Sequence, residues 1–524
     1  MMSEASHRCL RVEEIFIRIC RFLNDMKEGP LTLASMLRVC KAFYEPALDI
    51  LWHEQASLDG LIRCLLQRLW EIDHEYGIVI HKGIRPQDWK RFEFHAQRIV
   101  ILDNSDWKKF GNSRSISLNQ GIYTALSQYY PLLGQQSREL FKNLQVLRLT
   151  DAELPLAHHV LGFPVVFATA SLRIFKLDIP FMGSVDPTAL IDLLLAINSG
   201  SPNITDLSLE LSRSQEIPAA ALNAISGLQS LRALHISGPP NIGEYKNLLS
   251  FSLVPNLRTL KLSHDSFGAS TDLSHNHPNP LPFHALESLS IVINEIPSSQ
   301  QSFFQYLDLP NLKQLGIQLT NGAWQQFHAR LHEMISSLKS SKTIESLVLE
   351  GLEKAHVSEA VPVVNITHLF SFTNLSQLVI DSLHFHIPDE NTMLQRLAEA
   401  WPRLRRLTLN DISLHGAAAF PISALSYLSR HCLQLEELNI MIDARAPPLP
   451  PYPTTKDVIH NKVLHHLGLY RSPLSDPRPV ADYLKYLFPE LHTVRHQSLW
   501  RSHISTEYNE LWLRVNEHLG DSEV

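Results

Sequence analysis

Histidine is the residue type in this sequence best suited to bind a metal ion or transfer a proton, and 27 histidines occur among the 524 residues. On a strand, His384 and His386 would lie on one face and could together hold a metal ion. No Cys, Asp or Glu lies in register beside them. The other histidines are scattered along the chain, so we interpret them as surface residues and predict no metal site.

The cysteines indicate structural thiols rather than a metal centre or a nucleophile. Four of the five, Cys9, Cys20, Cys40 and Cys64, lie in the first 64 residues. They fall on apolar faces of predicted helices and form no Cys-x-x-Cys pair, which a metal or redox site would favour. We therefore expect reduced thiols in the core.

The sequence motifs of common catalytic sites do not occur. The chain has no Gly-x-Ser-x-Gly, no phosphate-binding loop, no Gly-x-Gly-x-x-Gly and no His-Glu-x-x-His. We predict no catalytic residue and no cofactor. An enzyme with an unrecognised site would instead require a deep pocket in which titratable side chains converge.

The composition argues against nucleic-acid and membrane partners. A formal net charge of −7 over 524 residues is mild and leaves no basic domain. Glu13, Glu14, Arg18 and Arg21 interrupt the apolar stretch at the amino terminus, so we expect no secretory signal there. No run approaches the ~18–20 apolar residues of a membrane span. We expect an intracellular protein, cytoplasmic or nuclear.

Apolar residues at helical spacing predict three helices in the first 52 residues. The first two apolar stripes consist of Val12, Ile15, Phe16, Ile19, Phe22 and Leu23, and of Leu33, Met36, Leu37, Cys40 and Phe43. Lys27–Pro30 separates them, and Pro46 is expected to begin a third helix that ends at Leu51-Trp52. Three helices of this size bury little surface alone, which suggests that they dock on something else.

This segment resembles an F-box, in particular the divergent F-boxes of fungal proteins. The resemblance covers residues 10–52 and rests on Val39-Cys40-Lys41-Ala42-Phe43 and on Leu51-Trp52. The usual Leu-Pro-x-Glu opening reads Val12-Glu13-Glu14-Ile15 here.

The F-box resemblance implies that these helices bind a Skp-family adaptor and, through it, a cullin. The implied adaptor-binding residues are Val12, Ile15, Ile19, Val39, Cys40, Phe43, Pro46, Leu51 and Trp52. We expect Phe43, Leu51 and Trp52 to lie in the core or at the interface, and Ile15 and Ile19 to lie on or beside the docking face. An ordinary three-helix cap on the following domain is the alternative interpretation.

An apolar-x-x-apolar-x-apolar pattern recurs thirteen times, about 29 residues apart, at the long end of the ~20–29 residues of leucine-rich repeats. Its first positions are Leu144, Leu172, Ile204, Leu231, Leu257, Leu286, Leu312, Ile344, Leu375, Leu404, Leu435, Leu464 and Leu491. The segment 424–438 is similar to the cysteine-containing repeat of F-box/leucine-rich-repeat proteins. An asparagine three residues after the last apolar position occurs clearly only as Asn294, so we expect irregular turns.

The repeats predict a strand followed by a helix in each unit. Predicted helices cover 189–197, 327–338, 393–400, 422–429 and 480–487, and Ile99 to Leu102 could supply an earlier strand. We predict an α/β fold in which a short three-helix F-box (1–56) and a helical linker or cap (57–97) precede a curved leucine-rich-repeat solenoid (98–524). Parallel strands would line its concave side, with helices outside.

Two stretches interrupt the repeats. Residues 268–284 are rich in Ser, His, Asn and Pro and predict a flexible excursion. Residues 446–453 contain five prolines, which predicts polyproline II. Arg445, Pro448 and Pro451 match the pattern of an SH3 ligand, but proline-rich loops between repeats are commoner.

The predicted concave face offers a target-binding site in the middle repeats. Side chains between and after the last two apolar positions of each strand point to that face. The candidate target-binding residues are Ser290, Val292, Gln318, Val348, Glu350, Val379 and Asp381. Three valines on a solvated face suggest contact with a partner, although β-branched residues also favour strands without one.

Two functions remain open for this sequence. The F-box resemblance implies the substrate-recognition subunit of an SCF-type ubiquitin ligase, whose target is an unknown protein. The alternative is a repeat scaffold or inhibitor that binds a partner protein without ubiquitin transfer. Residues 10–52 separate the two, because only the ligase subunit requires them to bind an adaptor.

Overall fold

A computed structural model describes residues 12–73, 77–80, 85–103, 140–150, 164–178, 187–211, 216–238, 245–264, 280–293, 307–319, 338, 342–351, 364–381, 385–386, 390–410, 420–447, 461–469, 472–496 and 506–520. The chain forms two compact units, Met1–Ile242 with Leu249–Leu257, and Gly243–Leu248 with Arg258–Val524. Some of the residues that the sequence-based predictions concern lie outside the described residues. They are 268–279, 327–337, 448–453, His158, His159, His384 and Asn294.

Three helices open the first unit, as predicted: α1 Glu13–Asn24, α2 Gly29–Met36 and α3 Lys41–His53. Their shared core consists of Phe16, Cys20, Leu33, Ala47 and Ile50. The third helix begins at Lys41 and contains Pro46, rather than beginning at Pro46. Cys40 is therefore an exposed residue in front of a helix and not part of an apolar helical face.

The cap of residues 57–97, predicted to be a helical linker or cap, is only partly helical. Leu58, Leu61, Ile62, Leu65 and Trp70 are buried, but the helix in this stretch is limited to α4, Asp59–Ile62, followed by a 3-10 turn at Gln67–Leu69. Trp70–Asp73 (β2) and Gly77–Ile80 (β3) then form an antiparallel hairpin. Aromatic and β-branched residues in both segments explain this preference for strand. A helix, α5 Lys90–Ala96, completes the cap.

The first unit contains a parallel ladder of six strands in its described residues. Its strands are β1 Glu54–Gln55, β4 Ile101–Asp103, β5 Val146–Thr150, β6 Ile174–Asp178, β7 Asp206–Glu210 and β8 Ala233–Ser237. The predicted early strand is confirmed at β4. The strand β1 was not predicted, and because it follows α3 directly, the sheet begins where the three-helix module ends. Helices α6 Pro187–Gly200 and α7 Ala219–Ser226 connect the later strands, while α8 Tyr245–Ser252 has residues in both units.

The second unit contains a parallel ladder of nine strands in its described residues. Its strands are β9 Thr259–His264, β11 Ser288–Ile293, β13 Gln314–Leu319, β14 Ser346–Gly351, β16 Gln377–Asp381, β18 Arg406–Asn410, β20 Glu437–Ile440, β22 His466–Gly468 and β23 Val494–Arg495. Short parallel pairs join β10 Leu281–Pro282 to β12 Leu307–Asp308, β15 Val364–Asn365 to β17 Phe385–His386, and β19 Phe420–Pro421 to β21 Ile442–Asp443. The helices among the described residues of this unit include α9 Glu390–Ala400, α10 Leu425–His431, α11 Pro477–Leu487 and α12 Thr506–Gly520.

Every one of the thirteen predicted strand units forms a strand of these ladders. Burial alternates along most of these strands, as in β6, where Phe175 and Leu177 are buried between half-buried neighbours. The predicted helices at 189–197, 393–400, 422–429 and 480–487 are also present, the third as a 3-10 turn followed by α10. The protein is thus a mixed α/β chain built on parallel strands.

An asparagine ladder lies directly in front of the first apolar position of several repeats, although no such ladder was predicted from the sequence. Each side-chain amide donates to a backbone carbonyl of the preceding repeat at 2.6–3.1 Å, and the five residues are Asn143, Asn203, Asn256, Asn311 and Asn374. The hydroxyls of Ser171 and Thr343 donate in the same way. These bonds satisfy carbonyls that helix ends and turns leave open.

Candidate protein-interaction surfaces

The first helix has two apolar sides. Phe16 and Cys20 are buried against the other two helices. At 3.6 residues per turn, Ile15, Ile19 and Phe22 lie together on the neighbouring side, where Ile15 is 40% and Phe22 is 70% exposed. A helix that packs on a single core needs only one apolar side. The second side is therefore a candidate docking surface.

The remainder of the three-helix module adds to this apolar surface. In the described part of the chain, the large hydrophobic side chains left exposed within residues 12–44 are Val12, Ile15, Phe22, Met26, Leu31, Val39 and Tyr44. Single exposed hydrophobic residues need no explanation, but a high density within one small module indicates an interaction site. We call these seven residues the apolar module surface.

The predicted adaptor-binding residues fall into two groups. Val12, Ile15, Val39 and Cys40 are exposed, and the half-buried ones are Ile19, Phe43, Pro46, Leu51 and Trp52. The Phe43 ring stacks on Phe16 with 4.3 Å between ring centroids. Leu51 packs against the module core. As adaptor contacts, all nine stay a prediction.

The sequence pattern did not predict the contact that Trp52 makes or the exposure of Phe22 and Leu31. The Trp52 ring stacks on His95 of α5 at 4.5 Å, so it joins the module to the cap. Phe22, counted in the apolar stripe of α1, is exposed rather than in the core, and Leu31 is exposed as well. The only sequence signal was that α1 carries more apolar residues than one helical side holds.

Arg98 fixes the module to the cap. Its guanidinium pairs with Asp49 and, at 2.6 Å, with the carboxylate of Glu45, which lies one turn earlier on α3. The same guanidinium lies over the Phe94 ring, 4.5 Å from its centroid. The Arg98 side chain is only 14% exposed, so these contacts hold α3 at a defined place in the first unit.

Two buried titratable groups in the cap have shifted pKa values. Burial, followed by the charges of Arg91 and Arg98, lowers the pKa of His95 to about 4. Between pH 6.5 and 4 the unfolded state therefore binds a proton that the folded state lacks, so the stability associated with neutral His95 is lost as pH falls through this range. Burial raises the pKa of Asp59 to about 6, against the opposing charge of Arg63.

The variant Asp59→Asn is expected to be more stable than the wild type above pH 6, by about 1–2 kcal/mol. Asp59 Oδ1 is shielded from solvent and has no hydrogen-bond partner among the described residues. Because the folded-state pKa is raised, ionised Asp59 destabilises the fold above about pH 6, and the advantage of asparagine should vanish near pH 4. Thermal midpoints across this range measure the effect. The exposed Asp482→Asn variant is the control, and an advantage independent of pH would refute the argument.

Predicted target residues in the second unit lie side by side across its strands. In β11, β13, β14 and β16, the register aligns Ser290, Gly316, Val348 and Val379 in one cross-strand row, followed by Thr408 in β18. We call this the apolar row. Gly316 has no side chain, so the surface of the sheet is shallow at this position of the row. A Cβ atom placed there would lie 3.3 Å from Ser290 Oγ. Val348 and Val379 are half-buried beside it.

A second row, two residues further along the same strands, is acidic. It aligns Val292, Gln318, Glu350, Asp381 and Asn410, and we call it the acidic row. Gln318 Nε2 donates to Glu350 Oε2 and Asn410 Nδ2 donates to Asp381 Oδ1, each at 2.8 Å. Val292 is only 7% exposed, so it is buried rather than presented on the solvated face as predicted. Glu350 and Asp381 are register partners on adjacent strands, where like charges directly opposite each other are destabilising.

The residues first considered for chemistry do not come together in the described part of the chain. No group of three or more His, Cys, Asp or Glu side chains there could hold a metal ion. The rings of His465 and His466 lie 4.5 Å apart. His386 lies in β17, whereas His384, with which it was predicted to share a face, lies outside the described residues. Burial raises the pKa of the Cys432 thiol to about 12, which makes it a core residue rather than a nucleophile. No described helix has the length and hydropathy to cross a membrane.

The parallel ladders and their repeating apolar positions identify the architecture. The fold is of the leucine-rich-repeat type.

No protein-family model matches the sequence, and no curated protein matches it. A solved complex of Rad7 and Elc1 from yeast is similar at 15% identity with a TM-score of 0.37, covering 71% of this chain and 82% of the other. A leucine-rich-repeat protein of Leptospira interrogans is similar at 15% identity with a TM-score of 0.32, covering 68% and 91%.

Proposed function

We propose that this chain is the substrate-recognition subunit of an SCF-type cullin-RING ubiquitin ligase, with its three-helix module docked on a Skp-family adaptor. The observation that carries the proposal is the second apolar side of α1, formed by Ile15, Ile19 and Phe22. Such a surface is stabilised when a partner covers it, at about 25 cal/mol for each Å² of apolar area removed from water. The F-box resemblance of residues 10–52 names the kind of partner.

In this proposal the repeats bind the protein to be modified, and the adaptor connects the chain to a cullin. Other subunits would catalyse ubiquitin transfer, so this chain requires neither a catalytic residue nor a cofactor. Its contribution would be proximity, because tethering the target makes the transfer effectively intramolecular. The role implies an intracellular location and no contact with nucleic acid or membrane.

The apolar and acidic rows are the proposed target-binding surface. Val348 and Val379 offer apolar contact, while Glu350 and Asp381 lie two residues away and can accept hydrogen bonds or pair with cations. Val292 is excluded because it is buried. The arrangement suits a target segment that carries apolar side chains next to lysine or arginine.

A scaffold or inhibitor that binds a partner without ubiquitin transfer is the second candidate. The apolar and acidic rows support this function as well, because a target-binding surface on the repeats does not depend on what the three-helix module binds. It differs from the ligase subunit in one respect: the apolar module surface would then pack on part of the partner, or on another copy of this chain, and not on an adaptor.

Co-expression of the full chain with a Skp-family adaptor, followed by size-exclusion chromatography, tests the proposal. We expect a stable complex that also takes up a cullin. A chain that stays free of adaptor, yet still captures a protein through its repeats, would contradict the ligase role and support the scaffold. Deletion of residues 1–52 is a poor control, because α3 supplies Glu45 and Asp49 to Arg98 and buries Ala47 in the core.

A further inference from the structure

We infer that a basic groove at the amino ends of the middle strands of the second unit binds an acidic peptide segment of a partner protein. The groove has a volume of about 510 Å³ and is open to solvent. Its charged lining residues are Lys313, Lys342, Arg403, Arg405 and Glu345, which leaves three positive charges in excess. This surface is separate from the apolar and acidic rows, which lie further along the same strands.

The cations are held at fixed spacing by the strand ladder. Backbone N–H groups of Glu345, Ser376 and Arg405 donate to the carbonyls of Lys313, Glu345 and Ser376 at 2.7–2.8 Å, so these residues directly precede consecutive strands. Lys313 and Arg405 are therefore three strands apart, or roughly 14 Å. The amide of Asn374 donates to the Lys342 carbonyl at 2.6 Å, which fixes the backbone of that lysine.

Two of the four cations remain available for a ligand. Lys313 pairs with Glu287 at 3.1 Å, and Arg405 pairs with Glu436 at 3.7 Å, on either side of the groove. Among the described residues, Lys342 and Arg403 take part in no ion pair, and both are exposed. They lie in repeats two strands apart, roughly 10 Å.

An extended acidic peptide matches this spacing. Alternate side chains of an extended chain lie about 7 Å apart on one face, so two acids separated by one residue reach both Lys342 and Arg403. Acids four residues apart span the distance between Lys313 and Arg405. None of the described residues that line the groove is aromatic, so these residues offer no ring on which nucleic-acid bases could stack. A protein segment is therefore the occupant that the lining favours.

Binding of a short fluorescein-labelled peptide in which glutamate alternates with serine tests the inference, with fluorescence anisotropy as the readout on the full chain. We expect Lys342→Glu with Arg403→Glu to weaken binding about tenfold or more, because two attractions become repulsions. Glu345→Gln should strengthen it about twofold to fivefold, since one repulsion is removed. A peptide with glutamine in place of glutamate should not bind, and added salt should weaken the wild-type complex.

The matched control reverses two exposed cations elsewhere, Lys90→Glu with Arg514→Glu, and should leave the affinity within about twofold of the wild type. Equal weakening by this control would overturn the inference, as would tighter binding of a single-stranded oligonucleotide or an unchanged affinity in both groove variants. The inference deepens the proposed target-binding role of the repeats. Adaptor binding by the module is measured separately, so loss of peptide binding with adaptor binding intact refutes the groove alone.

Discussion

The double variant Ile15→Glu with Phe22→Lys is expected to weaken binding of a Skp-family adaptor by a factor of about 100 or more, with the fold retained. Burying a large apolar side chain contributes roughly 1.5–3 kcal/mol, and the variant also places two charges in the interface. Both side chains are exposed in the free chain, at 40% and 70%, so their loss removes little from the module core. Pull-down of co-expressed adaptor and circular dichroism measure binding and folding.

The substitutions are chosen so that the helix itself is not disturbed. Glutamate near the amino end of α1 and lysine near its carboxyl end both interact favourably with the helix dipole. The control exchanges charges on the polar side of the same helix, Glu14→Lys with Arg18→Glu, and should bind the adaptor as the wild type does. A folded Ile15→Glu, Phe22→Lys variant with unchanged adaptor binding would exclude this side of α1 as the docking face.

The repeating strands could be predicted because each depends on a few local residues. Apolar residues at three fixed positions define where a strand begins, and the same pattern recurs thirteen times. The helix predicted over 189–197 is present as Pro187–Gly200. Such features require no knowledge of what the segment packs against.

The features that the sequence did not predict depend on neighbours distant in the chain. The apolar residues between Leu58 and Trp70 fit one helix, but the helix is limited to Asp59–Ile62, and the chain continues through a 3-10 turn into a hairpin that begins at Trp70. Val292 is on the expected side of its strand and is nevertheless covered. The basic groove collects residues from repeats about 30 positions apart, so no local motif indicates it.

The largest expected loss of stability follows from Trp401→Ala, at about 3–5 kcal/mol. Trp401 is fully buried between repeats, with its ring 5.4 Å from that of Phe370, and its backbone carbonyl accepts from Leu404 N at 3.1 Å. Truncation to alanine removes the ring contacts and leaves a cavity in a core that is closely packed. The midpoint of urea unfolding, followed by far-UV circular dichroism, measures the loss.

Phenylalanine at the same position separates ring packing from hydrogen bonding. Trp401 Nε1 has no hydrogen-bond partner among the described residues, whereas Trp512 Nε1 donates to the Ser472 carbonyl at 3.0 Å. Trp401→Phe therefore removes a buried donor that lacks a partner, while Trp512→Phe leaves a buried carbonyl without one. We expect Trp512→Phe to destabilise the protein by about 1–3 kcal/mol more than Trp401→Phe. Equal losses in the two phenylalanine variants would mean that ring volume alone decides the stability at both positions.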